Sequence, residues 1–296
     1  MSDFEVLMGE AARLSVAVEA LAAAGTHLRA TLGCADVHPS VADRLAAICE
    51  LALPGAATLP EPQRNVLAGV IMSIVGQAAD LVATPGRPPG WPADDQVVVQ
   101  STSRASISVA MALAAAAPGL AGLAPRLADG GAFLDVGTGA GWLAFTCARL
   151  WPACRVTGID IAAAPLESAR AGVVEQGLGD RVTMRQLDVG ALDQVEAYDL
   201  AWVPGPFLPI DVVLPALHAV HEALRPGGWV AFGLFGGPGS PLADECADLR
   251  TVRAGGHPWT PDDAMGTLKA AGYVDVHEVE RSWSAPVRLI AGARGT

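Results

Sequence analysis

Hydrophobic spacing divides the chain into two regimes. Over residues 3–31 the apolar positions Val6, Leu7, Leu14, Val18 and Leu21 recur at helical spacing, with Ser2 or Asp3 placed to cap the start and Gly33 to stop it. A second helix is predicted from Ser40, capped with Asp43 three residues on, to about Leu53, where Pro54-Gly55 ends it. A third is predicted from about Glu61 to Val82, with Pro62 in its first turn. No strand pattern precedes residue 96. The stretch Pro85-Gly-Arg-Pro-Pro-Gly-Trp-Pro92 is hostile to helices and marks a boundary. Residues 1–95 are therefore expected to form a helical domain and residues 96–296 a second domain. Trp91, inside the linker, reads either as a structural anchor or hinge, or as part of a lid touching substrate.

Beyond residue 96 the pattern changes. Gln96 to Arg104 is followed by an alanine-rich helix to about Ala117. From 132 short apolar runs alternate with helical periodicity. Strands are predicted at 132–136, 154–159, 181–186, 199–203, 228–234, 273–279 and 286–291. Helices are predicted at 141–150, 164–177, 190–196, 210–224 and 261–272. This alternation implies an α/β fold with a doubly wound, Rossmann-like sheet of seven strands that takes its ligand at the strands' carboxyl ends.

Composition removes several functions. The net charge is −12, whereas nucleic acid demands a basic face and an anionic membrane surface attracts basic segments. No nucleic-acid partner and no membrane are expected. Two uncharged stretches, 66–79 and 105–124, are short or broken by Pro118-Gly119 and read as buried helices rather than membrane spans. The five cysteines form no C-x-x-C pair, and the start of the chain carries no basic, apolar leader; a reducing, cytoplasmic location is expected. Aromatic residues make up 5% of the chain, which argues against a large flat polyaromatic substrate.

The densest chemistry lies at Phe133-Leu-Asp-Val-Gly-Thr-Gly-Ala-Gly-Trp-Leu-Ala144. Strand, glycine turn and helix together let backbone approach a nucleotide-like ligand, and each missing Cβ permits that approach. A dinucleotide fingerprint would read G-x-G-x-x-G; here the third glycine comes one residue early, at Gly141, and Trp142 holds the dinucleotide position. No Tyr-x-x-x-Lys is present, which further disfavours an NAD(P)-dependent oxidoreductase. Asp160 lies 23 residues past Gly137 at the end of the second strand, where a carboxylate either accepts from ribose hydroxyls or caps a helix. Asp188 ends the third strand and reads as an amine acceptor or as a helix cap.

The string D-x-G-x-G-x-G, with Asp160, Asp188 and the turn Leu224-Arg-Pro-Gly-Gly-Trp229, resembles class I S-adenosylmethionine (SAM) dependent methyltransferases over about residues 130–292. The resemblance implies that Asp135, Gly137, Thr138, Gly139 and Gly141 wrap the methionine end of SAM. It implies that Asp160 holds the ribose with Ile161 against adenine, and that Asp188, beside Val189, meets the adenine amine. The fourth strand's exit, Val203-Pro204-Gly205-Pro206, lacks the polar first residue of the family's amino-methylating members, so that chemistry is not carried over. Trp202 and Phe207 read as a substrate wall or as core. Arg104, just ahead of the loop, is expected to meet the SAM carboxylate. His257, with Arg250 or Arg253, is the candidate general base or substrate contact, and a turn histidine without a role is the alternative. His218 and His221 share a helix face, but no third ligand is apparent and no metal is expected. The expected activity is methyl transfer to O, N or C of a small-molecule acceptor in secondary metabolism, with S-adenosylhomocysteine (SAH) as product. The alternatives are the oxidoreductase and a SAM-binding protein with a non-methylating or regulatory role. The helical domain is expected to cap the site, to form a homodimer, or both.

Overall fold

The computed structural model describes residues 2–91, 96–236 and 239–296. Pro92 of the predicted linker and the boundary residue Asp95 lie outside them. The chain forms two compact units. One holds the helical front end with Gln100–Ala105; the other holds residues 87–91, 96–99 and 106–296.

In the first unit, α1 (Asp3–Thr31), α2 (Pro39–Ala52) and α3 (Glu61–Ala83) fold together. Ser2 and Glu5 form a reciprocal capping box at the start of α1. The cap of α2 differs from expectation. His38 Nδ1 accepts the Ser40 N–H at 3.2 Å, and Pro39 takes the first helical position, where its missing N–H costs nothing. Ala24, Leu28, Cys49, Ala56, Ala68 and Ile71 make a small core. A Cβ on Gly25 would stand 2.8 Å from Ile71 Cγ2, so glycine sets how closely α1 and α3 approach. Among the described residues α3 is the one helix long and apolar enough to cross a membrane, with mean hydropathy 1.9. Only Ala68, Gly69, Ile71 and Ser73 of it are buried, so the expected burial of 66–79 is confined to one face. The stretch after the linker, left without an element by its sequence pattern, is α4 (Gln96–Ala105).

The second unit is a seven-stranded sheet in the order β3-β2-β1-β4-β5-β7-β6. Its strands are β1 (Ala132–Val136), β2 (Arg155–Asp160), β3 (Val182–Gln186), β4 (Tyr198–Pro204), β5 (Leu224–Phe235), β6 (Val274–Glu278) and β7 (Val287–Ala293). All neighbours pair in parallel except β7, which runs antiparallel to β5 and β6. Its helices are α5 (Ile107–Ala116), α6 (Leu123–Ala128), α7 (Trp142–Leu150), α8 (Ala163–Glu175), α9 (Ile210–Ala223), α10 (Pro241–Arg253) and α11 (Pro261–Ala270). The strand order reverses between β1 and β4, which opens a crevice at their carboxyl ends. Alternation along β1 sends Phe133 into one core layer and Leu134 and Val136 into the other.

Three elements depart from the sequence pattern. The helix predicted at 190–196 is a single 3-10 turn, Val189–Ala191. The Arg225-Pro-Gly-Gly turn lies within the span of β5, where the pairing with β4 shifts register between Tyr198 and Leu200. Helix α10 was not predicted, although its start signals are present: Ser240 accepts the Ala243 N–H, Pro241 follows, and Arg250 and Arg253 occupy the last turn.

Candidate active site

The glycine loop begins where β1 ends. Gly137, Gly139 and Gly141 have φ of 67°, 55° and 86°, the left-handed region that side chains resist. A Cβ on Gly141 would stand 2.6 Å from Phe145 Cζ, and one on Gly137 3.3 Å from Pro204 Cγ, so the loop also lies close to the exit of β4. Thr138 pins the turn: its N–H donates to the Ile159 carbonyl at 3.0 Å and its hydroxyl to Asp135 Oδ2 at 2.7 Å. No side chain caps α7, which leaves N–H groups of its first turn facing the loop.

Asp135 is 1% exposed. Burial raises its pKa to about 7, with the Asp160 charge adding to the rise and the Thr138 hydroxyl and Ala144 N–H opposing it. Asp160, at the end of β2, is half-buried. One oxygen accepts the Gly139 N–H at 2.8 Å, the other the Ala162 N–H at 2.8 Å. A carboxylate oxygen accepts more than one hydrogen bond, so both keep acceptor capacity. Next to it Ile161 is 70% exposed. On the neighbouring strand Gln186 pairs with Asp160, and two residues on Asp188 is exposed, with one oxygen accepting the Gly190 N–H at 2.8 Å.

A second cluster stands past β4. The Trp91 and Phe207 rings meet edge to face at 5.2 Å between centroids, and Phe207 meets Phe235 in the same way at 5.7 Å. The Arg250 guanidinium lies 5.4 Å from the Phe235 centroid. His257 packs on Trp259 at 4.9 Å, and Trp259 on Phe232 at 5.5 Å. A Cβ on Gly256 would overlap the Pro206 carbonyl, and the Gly90 N–H donates to the Arg253 carbonyl at 3.0 Å. These contacts bind the 253–257 loop to both the β4 exit and the Trp91 segment.

Residues 133–228 match a family model described as a methyltransferase domain. That stretch is similar in sequence to methyltransferase domains, and the sheet that contains it has the fold of solved SAM-dependent methyltransferases. Over 75 residues the chain is 36% identical to a ribosomal protein uL3 glutamine methyltransferase of Bordetella pertussis. That match spans 25% of each protein, and the chain spans about a quarter of the length of the first curated relatives it matches. Among solved structures it is similar to human N-acetylserotonin methyltransferase in complex with SAM, at 17% identity and a TM-score of 0.68, covering 100% of this chain and 99% of that one. It is also similar to mitomycin 7-O-methyltransferase, at 15% identity and 0.64, covering 99% and 100%. At such identities the likeness is one of fold, and it extends over the helical front end as well as the sheet.

Within the matched stretch the expected cofactor residues fall into three groups. Gly137, Gly139, Asp160, Ile161 and Asp188 gather at the carboxyl ends of β1, β2 and β3. Their chemistry suits an adenosine: acceptors for hydroxyls and an amine, an apolar side chain left open, and a loop whose missing side chains admit a ligand. Asp135, Thr138 and Gly141 are buried and shape the loop from beneath. Val189 is 6% exposed and packs in the core layer with Leu134 and Val136. Arg104 belongs to the other unit, in a recess lined by Arg29, Cys34, Asn65 and Ser101, with its Nη1 4.0 Å from Cys34 Sγ. Of the substrate candidates, Trp91, Phe207 and Arg250 come together, whereas Trp202 is a core residue whose indole occupies the space left by the missing Cβ of Gly233. His221 packs on the Tyr273 ring, and His218 is exposed. The sequence reading missed Phe235 and Trp259. Phe235 ends an apolar strand and looks like core until the partners that meet it at the crevice are known.

Proposed function

We propose that this chain is a SAM-dependent methyltransferase that methylates an oxygen, nitrogen or carbon of a small-molecule acceptor. The observation that carries this reading is Asp160. Its carboxylate fastens the glycine loop through Gly139 and keeps acceptor capacity toward the crevice, beside an isoleucine that is 70% exposed. Bound SAM supplies an electrophilic methyl group on a sulfonium. The protein then has to align the acceptor with that methyl and exclude water. Asp160 holds the ribose and Asp188 the adenine amine, and Trp91 and Phe207 wall the acceptor. The β4 exit, Pro204-Gly205-Pro206, offers no titratable side chain. His257, carried to that exit by the Gly256–Pro206 contact, is the group placed to take the acceptor's proton. A small acceptor is supported by the net charge of −12, which opposes RNA. It is supported also by structural neighbours named for N-acetylserotonin and mitomycin, the latter in keeping with secondary metabolism.

Calorimetric titration with SAM, SAH and NADH tests the cofactor. Micromolar binding of the first two and no heat from NADH is expected; the reverse overturns the reading. The helical unit we assign to dimerisation. Phe4, Leu7, Val16 and Val18 of α1 are 60–70% exposed, an apolar surface suited to a second copy. Sedimentation equilibrium at micromolar protein should give twice the chain mass, and a monomer there removes the assignment.

A further inference from the structure

We propose that the acceptor is an aromatic anion, with its ring on Phe207 and Phe235 and its carboxylate held by Arg250. The proposal rests on the methyltransferase reading and narrows its substrate class.

Aromatic residues are only 5% of the chain, yet three of them, Trp91, Phe207 and Phe235, meet in one edge-to-face run. Phe207 follows directly on the β4 exit, whose Pro204 lies against Gly137 of the glycine loop. The aromatic cluster is therefore beside the place where the methyl donor's sulfur end is expected. Three half-buried rings gathered at that point suit a planar acceptor.

Arg250 sets the charge. Other half-buried arginines of the sheet unit have polar partners: Arg225 meets Asp199 at 2.5 Å, Arg288 Glu278 at 2.7 Å and Arg294 Glu196 at 3.2 Å, while Arg181 donates to the Ala148 carbonyl at 2.7 Å. Arg250 makes no ion pair or hydrogen bond with a described residue, and its guanidinium lies over the Phe235 ring. Burial lowers its pKa, and the Cys246 thiol opposes that shift. A half-buried guanidinium is a fork of donors matched to a carboxylate. In a chain with net charge −12, a lone arginine gives no long-range steering toward anions. It acts at contact, as a reader of one group on a docked molecule.

The test uses the full chain with SAH bound and two probes that share a ring and a hydroxyl, 6-hydroxy-2-naphthoate and 2-naphthol, each titrated by calorimetry. The naphthoate should bind about tenfold more tightly. Arg250→Ala should bring the two affinities to within about twofold by weakening the naphthoate alone, while Arg250→Lys keeps part of the preference as a point charge. Phe207→Ala should weaken both probes alike. SAH affinity and circular dichroism report that each variant is folded; if Arg250→Ala fails that check, Arg250→Gln takes its place. Equal affinities in the wild type, no naphthoate binding at millimolar concentration, or a preference that survives the loss of Arg250 would each overturn the proposal. A wild type that prefers naphthoate but ignores SAH would keep the anion subsite and sink the cofactor reading instead.

Discussion

Two aspartates are buried at opposite ends of the sheet, and their surroundings differ. Asp199, where β4 begins, is 3% exposed and surrounded by donors: Arg225 at 2.5 Å, the Ala132 N–H at 2.8 Å and Arg126 at 3.8 Å. It straps the start of β1 to the start of β4 and to the glycine turn of β5, and Arg126 reinforces that turn by donating to the Pro226 carbonyl. Asp135, where β1 ends, is 1% exposed and receives a hydroxyl and an N–H but no cation. Its neighbour Asp160 carries like charge. At the amino end Asp199 is met by donors on several sides; at the carboxyl end Asp160 keeps acceptor capacity. There, too, the Trp259 indole N–H is buried without a partner among the described residues. Under the proposed function, stability and ligand binding fall to opposite ends of the same strands, in keeping with a fold that takes its ligand at the strand termini.

Substitution at each end separates the two roles. The largest effect expected is from Asp199→Ala, which leaves two arginines and the Ala132 N–H without their shared acceptor. It should cost about 3 kcal/mol in urea unfolding, with SAH affinity changing by less than about threefold. Asp160→Ala should act the other way. Loss of charge-assisted hydrogen bonds to the ribose should weaken SAH by about a hundredfold, near 2.7 kcal/mol, while stability falls by only about 1 kcal/mol. An Asp199 variant that folds normally but loses SAH as badly as the Asp160 variant would show that the ends are not independent.

The elements behind this contrast were partly legible in the sequence. The glycine loop, β1 and α1 stand out because local spacing alone sets them, and the 23-residue interval to Asp160 carries across one strand–helix–strand unit. What the sequence hid depends on distant contacts. Asp199 lies 67 residues from Ala132 and 26 from Arg225, and no local pattern distinguishes it from a surface carboxylate at a strand start. Trp91, Phe207 and Phe235 likewise become a cluster only after β4 and β5 pair. Helix α10 was missed because its interior alternates small and charged residues with little apolar periodicity, although its cap was readable at Ser240-Pro241. Val189, expected at adenine by its place after Asp188, begins a 3-10 turn and packs instead in the core with Leu134 and Val136.

The smallest expected effect distinguishes the two aspartates by pH. The Asp135 pKa rises from an ordinary 3.8 to about 7, so the folded protein binds a proton that the unfolded chain has already released. Stability from this group is complete below the unfolded value and is lost as pH climbs through about 7. Asp135→Asn cannot ionise and should show no such loss. Between about pH 6 and about pH 8 the wild type should therefore lose roughly 1.4 kcal/mol relative to Asp135→Asn, read as converging or crossing urea midpoints. Ionisable groups elsewhere act on both proteins and cancel in the difference. A stability gap that stays constant over that window would mean that the loop already holds Asp135 in one charge state. The carboxyl end of the sheet would then be as fully satisfied as the amino end, and the contrast between them would rest on Asp160 alone.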